Sequence, residues 1–133
     1  MSLGQAAVTP QAHMTARLRV LVTEFCMLTG GETLFVRDLV TELARQGHSP
    51  ALCAPLSERF TGDLRAMGIP VLSRLSDVPW IPDIIHGHQK TEVLRALRRF
   101  SSTPAVFVAH SHVFWQDRLG DHPRIRRYFG VSR

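Results

Sequence analysis

The sequence predicts an α/β fold, a Rossmann-like parallel sheet with helices on both faces. Short apolar, β-branched runs alternate with segments whose apolar residues recur at helical spacing. The links between them are short, and glycines stand where the helices should end. Alternating strands and helices joined in this way form βαβ units, whose parallel strands are covered by helices.

The size and composition of the chain fit one globular domain. Its 133 residues, 44% hydrophobic and 20% charged, can bury a core and argue against disorder. They are too few for a (β/α)₈ barrel, which needs roughly 250 residues, and no stretch approaches the ~18 apolar residues of a membrane-spanning helix. Residues 1–16 lack hydrophobic periodicity, so we expect a disordered leader or tag there and a Rossmann-like domain over residues 17–133.

The first predicted unit begins with residues 18–25, an apolar, β-branched run typical of a strand buried on both faces. After a turn that ends in two glycines, residues 32–46 are predicted to form an amphipathic helix. Its apolar positions are Phe35, Val36, Leu39, Val40 and Leu43. Gly47 supplies the left-handed end of this helix, and residues 51–54 form the second strand.

The same cycle then repeats. A helix is predicted over residues 58–67, closed by Gly68, and a short strand over residues 69–72. The remaining predicted elements are a strand at 84–88, an amphipathic helix at 91–100, a strand at 105–110 and a sixth strand at 128–132.

An excess of basic residues favours anionic partners. Sixteen Lys and Arg oppose eleven Asp and Glu, a formal net charge of +5 with His counted as neutral, which suits nucleotide phosphates or an acidic membrane surface. Such a charge is common for a whole chain, and we expect no nucleic-acid partner. Cys26 and Cys53 form no CxxC spacing, so we expect reduced thiols in a cytoplasmic protein.

Two clusters of arginines stand out. Arg95, Arg98 and Arg99 lie away from the apolar side of the predicted helix, and a second cluster comprises Arg124 and residues 126–127. We interpret the helical cluster as a solvated outer face. Docking on a membrane surface is the alternative, because a basic amphipathic helix can lie on anionic lipid.

Two glycines follow the first predicted strand, at the edge of a parallel sheet where ligands bind. Gly30 and Gly31 lack a Cβ, so the backbone can approach a ligand closely while the next helix directs its N–H groups at an anion. A plain turn is the alternative. The sequence has no GxGxxG motif and no Walker-type lysine here, which disfavours NAD and P-loop sites.

Two His-x-His pairs close the fourth and fifth predicted strands, at residues 86–88 and 110–112. Strand alternation sends both rings of a pair to the same side. Three interpretations stay open: contact with a substrate, packing against neighbouring strands, and a Zn²⁺ site. We favour substrate contact and expect no metal, because the only nearby carboxylates are Asp83 and Asp117.

These motifs resemble, in order and spacing, the N-terminal domain of retaining GT-B glycosyltransferases, the large family four that uses nucleotide sugars. The resemblance runs from Leu18 to Ser132. The matching segments are Gly30-Gly31-Glu32, Arg45-Gln46-Gly47-His48, Gly68-Ile69-Pro70-Val71, Pro82-Asp83-Ile84-Ile85-His86-Gly87-His88, Thr103-Pro104-Ala105-Val106, His110 and Val131-Ser132. Each segment alone is weak, but seven in the family's order are specific.

The resemblance implies a role for several of these residues. The glycine loop would lie against the donor diphosphate and the acceptor, and His110 resembles the histidine that contacts the donor sugar near the reacting carbon. His88 and its neighbours would line the acceptor side. The expected site residues are therefore His110 as the catalytic residue and Gly30, Gly31, Glu32, His86, His88 and Ser111 as substrate-binding residues.

The resemblance also implies a reaction. A sugar would pass from a nucleotide-sugar donor to a hydroxyl of a glycan or lipid acceptor with retention, without a protein nucleophile, a metal or a further cofactor. The family's C-terminal domain, which carries a Glu-x₇-Glu pair for the donor, has no counterpart in this sequence. We therefore expect half of an active site, inactive alone, in the cytoplasm or peripheral at the inner face of the membrane.

Two other functions stay open at this point. The chain is alternatively a non-catalytic partner- or membrane-docking module of a split enzyme. It is alternatively a small metal-dependent hydrolase built on the two His-x-His pairs. Metal content distinguishes the hydrolase from the transferase.

Overall fold

The computed structural model describes residues 16–25, 31–54, 61–110 and 120–130. The strands are β1 (Arg19–Thr23), β2 (Ser49–Cys53), β3 (Val71–Leu72), β4 (Ile84–His88), β5 (Ala105–Ala109) and β6 (Ile125–Gly130). The helices are α1 (Gly31–Arg45), α2 (Gly62–Ala66) and α3 (Lys90–Arg99), with a 3₁₀ turn at Leu75–Asp77. Among these helices, none has the combination of length and apolar character that crossing a membrane requires.

The strands form one sheet in the order β3-β2-β1-β4-β5-β6. Every pairing in it is parallel, which confirms the predicted Rossmann-like α/β fold. The chain starts in the middle of the sheet, builds outward to β3, and then crosses back to place β4 on the other side of β1. The strand order therefore reverses between β1 and β4, and such a reversal opens a crevice at the carboxyl ends of the strands.

Helices cover both faces of the sheet, as predicted, and each face has its own apolar core. The core beneath α1 and α2 contains Val20, Val22, Val36, Val40, Leu52, Ala54, Leu64, Ile69 and Val71. The core beneath α3 contains Leu21, Ala51, Cys53, Ile85, Val93, Ala96, Leu97, Phe100, Ala105, Phe107 and Ile125. Successive residues of a strand alternate between the two cores, because neighbouring side chains point to opposite faces.

Both predicted glycine stops are confirmed. Gly47 has φ +92° and Gly68 has φ +82°, values that favour glycine because other residues meet their own Cβ there. After α1, the Gly47 N–H donates to Ala44 (3.0 Å) and the His48 N–H donates to Leu43 (3.0 Å), the two bonds of a Schellman motif. These turns end the helices abruptly and return the chain to the sheet.

Several predicted boundaries need correction. β6 begins at Ile125, three residues before the prediction, and α2 spans Gly62–Ala66, whereas a helix over residues 58–67 was predicted. Residue 61 is not helical, which rules out one helix over 58–67. Residues 1–15, 55–60, 111–119 and 131–133 lie outside the described residues, and with them most of the predicted leader.

The second arginine cluster is not a uniform basic surface. The Arg124 guanidinium donates to the carbonyl oxygens of Leu97 (2.5 Å), Phe100 (2.9 Å) and Thr103 (2.8 Å). These carbonyls lie at and just beyond the end of α3, where backbone acceptors have no helical partner. Arg124 therefore ties α3 to the start of β6. The predicted solvated face of α3 is confirmed, because Arg95, Arg98 and Arg99 are exposed.

Candidate functional site

Three histidines stand in a row at the carboxyl edge of the sheet, beside the point where the strand order reverses. The Nδ1 atom of His86 lies 3.2 Å from Nε2 of His88, and Nδ1 of His88 lies 2.8 Å from Nε2 of His110. The ring planes are nearly parallel, with centroids 5.1 Å and 5.0 Å apart and interplanar angles of 24° and 23°, and neighbouring rings meet edge to edge through these nitrogens. The structure thus brings three of the four predicted histidines into one cluster; His112 lies outside the described residues.

Strand geometry explains the row. His86 and His88 are two residues apart on β4, so both side chains point to the face covered by α1. His88 pairs with Val108 of β5, and His110 follows two residues later on the same face. Because β4 and β5 are hydrogen-bonded neighbours, the two strand ends bring His88 and His110 into contact.

Between these histidines, Gly87 faces the other side of the sheet. A Cβ at this position would lie 2.3 Å from Cγ2 and 2.7 Å from Cβ of Val93, closer than carbon atoms can pack. Glycine therefore lets α3 approach β4 directly behind the site. The His-Gly-His spacing combines two rings on one face with close helix packing on the other.

Burial keeps two of the rings neutral. His88 has 0% exposure, and its pKa is lowered to about 2, first by desolvation and then by His86 and His110. Desolvation is also the largest cause that lowers the pKa of His86 to about 4. A neutral ring carries one N–H, so His88 donates to one neighbour and accepts from the other. The row is consequently a directional hydrogen-bond chain, with both orientations available.

The N-terminal part of α1 forms the wall of the site opposite the sheet. The Phe35 ring meets His88 and His110 edge-on, with centroids 5.7 Å and 5.0 Å away. Phe35 is one of the predicted apolar positions of this helix; it packs against the histidine rings and remains 40% exposed. Glu32, in the first turn of α1, has its Oε2 atom buried without a hydrogen-bond partner.

The sequence prediction missed polar groups at the adjacent strand ends. Glu24 directly follows β1 and is 1% exposed, and its Oε1 accepts from the Phe25 N–H at 2.8 Å. Gln89 follows β4 with φ +70°, a left-handed conformation that glycine tolerates better, and its Oε1 accepts from the same N–H at 3.0 Å. Two sequence signals could have identified these residues: Glu24 is a carboxylate at the end of an apolar run, and Gln89 is a polar residue directly after His-Gly-His.

The structure therefore brings most of the predicted site residues to one edge of the sheet. His86, His88, His110, Glu32 and the first helical residue Gly31 lie at one edge. Gly30 and Ser111 lie outside the described residues.

A cavity of about 510 Å³ lies at the opposite, amino edge and is lined by Arg17, Arg19, Ser49, Trp80 and Asp83. Its polar groups already pair with one another, since Arg17 donates to Ser49 and the Arg19 N–H donates to Asp83. We therefore place the candidate site at the histidine row.

Comparisons of the chain with protein-family models, curated proteins and solved structures found no match.

Proposed function

We propose that this chain is the acceptor-side, N-terminal domain of a retaining glycosyltransferase, which moves a sugar from a nucleotide-sugar donor to an acceptor hydroxyl. One observation carries the proposal: the start of α1 and His110 lie side by side at the carboxyl edge, where Phe35 contacts the His110 ring. The sequence resemblance assigns these two elements to the donor diphosphate and the donor sugar. The diphosphate and the sugar are bonded to each other in the donor, so the two elements that bind them must lie close together, as the start of α1 and His110 do.

The reaction places different demands on the two elements. The bond between the anomeric carbon and a phosphate oxygen breaks, a bond to the acceptor oxygen forms on the same face, and the acceptor proton passes to the leaving phosphate. Negative charge grows on the diphosphate, and the free N–H groups at the start of α1 stabilise it.

His110 forms a hydrogen bond with the donor sugar. Its Nε2 faces His88, so Nδ1 is the ring nitrogen that remains for a sugar hydroxyl.

Nucleoside diphosphate binding tests the location directly. In ¹⁵N NMR spectra of the 133-residue chain, UDP or GDP at millimolar concentration should shift the amides of Glu32, Thr33 and His110. The amides of Ser49 and Asp83, at the amino edge, serve as the internal control and should stay in place. Shifts confined to the amino edge, or no shifts at all, contradict the proposal.

Turnover tests the role of His110. The chain alone should show negligible transfer, because it supplies one half of the site. In the protein joined to its donor-binding half, His110→Ala should lower kcat/KM by about 100-fold or more, the size of effect seen when a transition-state hydrogen bond is lost. His122→Ala is the matched control and should leave kcat/KM unchanged. Equal turnover of the His110→Ala variant and the wild type refutes the assignment.

A further inference from the structure

The same edge of the sheet holds a set of side chains that offer metal-ligating atoms. Glu32, His88 and His110 each offer one ligand atom, and these atoms lie within 4.8 Å of one another. We propose that Glu32, His88 and His110 bind a divalent transition-metal ion of the zinc class. This proposal goes beyond the glycosyltransferase function, which implies no metal, and ion binding does not depend on that function.

The ligand set matches such an ion. Two imidazoles and one carboxylate bind Zn²⁺ in catalytic sites and Fe²⁺ in open sites. In tetrahedral Zn²⁺ coordination, with bonds of about 2.0–2.1 Å, ligand atoms lie about 3.3 Å apart. The His88 and His110 nitrogens, at 2.8 Å, would have to separate by about half an ångström on that geometry. The Glu32 oxygen lies within 4.8 Å of both nitrogens and would have to move closer to complete the set.

An unsatisfied polar atom points independently to a ligand. Oε2 of Glu32 is buried and, in the described part of the chain, has no hydrogen-bond partner. Burying an unpaired carboxylate oxygen is unfavourable, because it loses its hydration without a replacement. A cation between this oxygen and the two rings removes that cost.

The surroundings of His88 fit a ligand rather than a simple core residue. Its Nδ1 faces His110, while its Nε2 lies 3.2 Å from Nδ1 of His86. Metal-bound histidines almost always donate their second ring N–H to an acceptor, usually a carboxylate, a backbone carbonyl or water, which fixes the tautomer and the ring orientation; here Nδ1 of His86 is the acceptor within reach. His86 is thus the positioning residue, and Phe35 packs against both ligand rings.

Three protein ligands leave a coordination position open. In zinc proteins, structural sites use four protein ligands, whereas catalytic sites keep one position for water or substrate. The cluster therefore has the composition of a reactive site rather than that of a structural one.

Metal titration tests this without donor or acceptor. The full 133-residue chain, made without a polyhistidine tag and treated with EDTA, is titrated with ZnCl₂ by calorimetry and with CoCl₂ by visible absorption. We expect one equivalent to bind, with ligand-field bands of four- or five-coordinate Co²⁺. Glu32→Gln and His110→Ala should each weaken binding by more than the 10–100-fold that losing an outer partner typically costs. His86→Phe should weaken it within that range.

His122→Ala is the control variant and should bind like the wild type. Circular dichroism and the thermal midpoint confirm that each variant is folded. Three results overturn the proposal: no one-equivalent binding, unchanged affinity in both Glu32→Gln and His110→Ala, or thiolate-to-cobalt charge-transfer bands, which assign the ion to cysteine. Zn²⁺ binding without any NMR response to nucleoside diphosphate supports the metal site while contradicting the transferase.

Discussion

Replacing Gly87 by alanine tests the close packing of α3 against β4. The new Cβ would lie 2.3 Å from Cγ2 and 2.7 Å from Cβ of Val93, whereas carbon atoms pack at about 3.5–4.0 Å. Rotation of the valine does not relieve the clash, because its Cβ is attached to the helix backbone and its χ1 is restricted in a helix. The helix must shift by about 1 Å, and overpacking of this kind costs about 1–3 kcal/mol.

We expect Gly87→Ala to lower the free energy of unfolding by about 2–3 kcal/mol, measured by urea denaturation followed by circular dichroism. Gly62→Ala is the matched control, because a Cβ there meets no atom within 4 Å, and it should be neutral or stabilising by up to about 1 kcal/mol. Val93→Ala removes the 2.3 Å contact, so adding Gly87→Ala to it should cost about 1 kcal/mol less than in the wild type. Equal stability of Gly87→Ala and the wild type refutes the packing argument, as does strict additivity in the double mutant.

The remaining predictions concern other parts of the described structure. Arg124→Lys should lower the free energy of unfolding, measured by urea denaturation, by about 2 kcal/mol, because an ammonium cannot reach three carbonyls at once. The control Arg126→Lys, at an exposed position, should change it by no more than about 0.5 kcal/mol. Equal effects of the two substitutions contradict the capping role of Arg124. Burial raises the pKa of Cys53 to about 11, so at pH 8 iodoacetamide should label it about 100-fold more slowly than a peptide thiol of ordinary pKa in a Cys26→Ser background. Comparable rates refute its burial. The pKa of His86 falls to about 4 on folding. Below the ordinary histidine pKa of about 6.5, this ring is therefore protonated in the unfolded chain but stays neutral in the folded one. Its contribution to stability is full above about pH 6.5 and falls as the pH drops towards 4. In EDTA, moving from pH 7 to pH 5 should cost about 2 kcal/mol from this ring, and His86→Gln should remove that share; an unchanged pH slope refutes it.

The element order could be predicted because its signals are local. β4 has the predicted bounds, Ile84–His88, and α1 and α3 each begin one residue early and end one residue early. Gly47 and Gly68 end helices because a positive φ is cheap for glycine wherever it stands. β6 was misplaced because its start depends on pairing with β5, a contact between segments far apart in the chain.

The candidate site could be predicted in part for the same reason. His86 and His88 share a face because side chains alternate along a strand, and the carboxyl edge follows from parallel pairing. The contact of Phe35 with the histidines was not predicted, because helical periodicity shows which residues share the apolar side of α1 but not what each of them contacts. Gln89 and Glu24 were missed because neither forms a recognisable motif.

By itself, the sequence determined the fold class, the glycine turns that follow α1 and α2, and the edge at which histidines would gather, since periodicity and turn chemistry act over a few residues. Only the tertiary structure decided that His88 contacts both His86 and His110, and that Glu32 and Phe35 of α1 close on the same rings. It also decided that Arg124 caps α3. These contacts depend on which strands become neighbours and how closely a helix packs against them. Both are determined by the burial of apolar side chains across the whole core, which no local segment of sequence specifies.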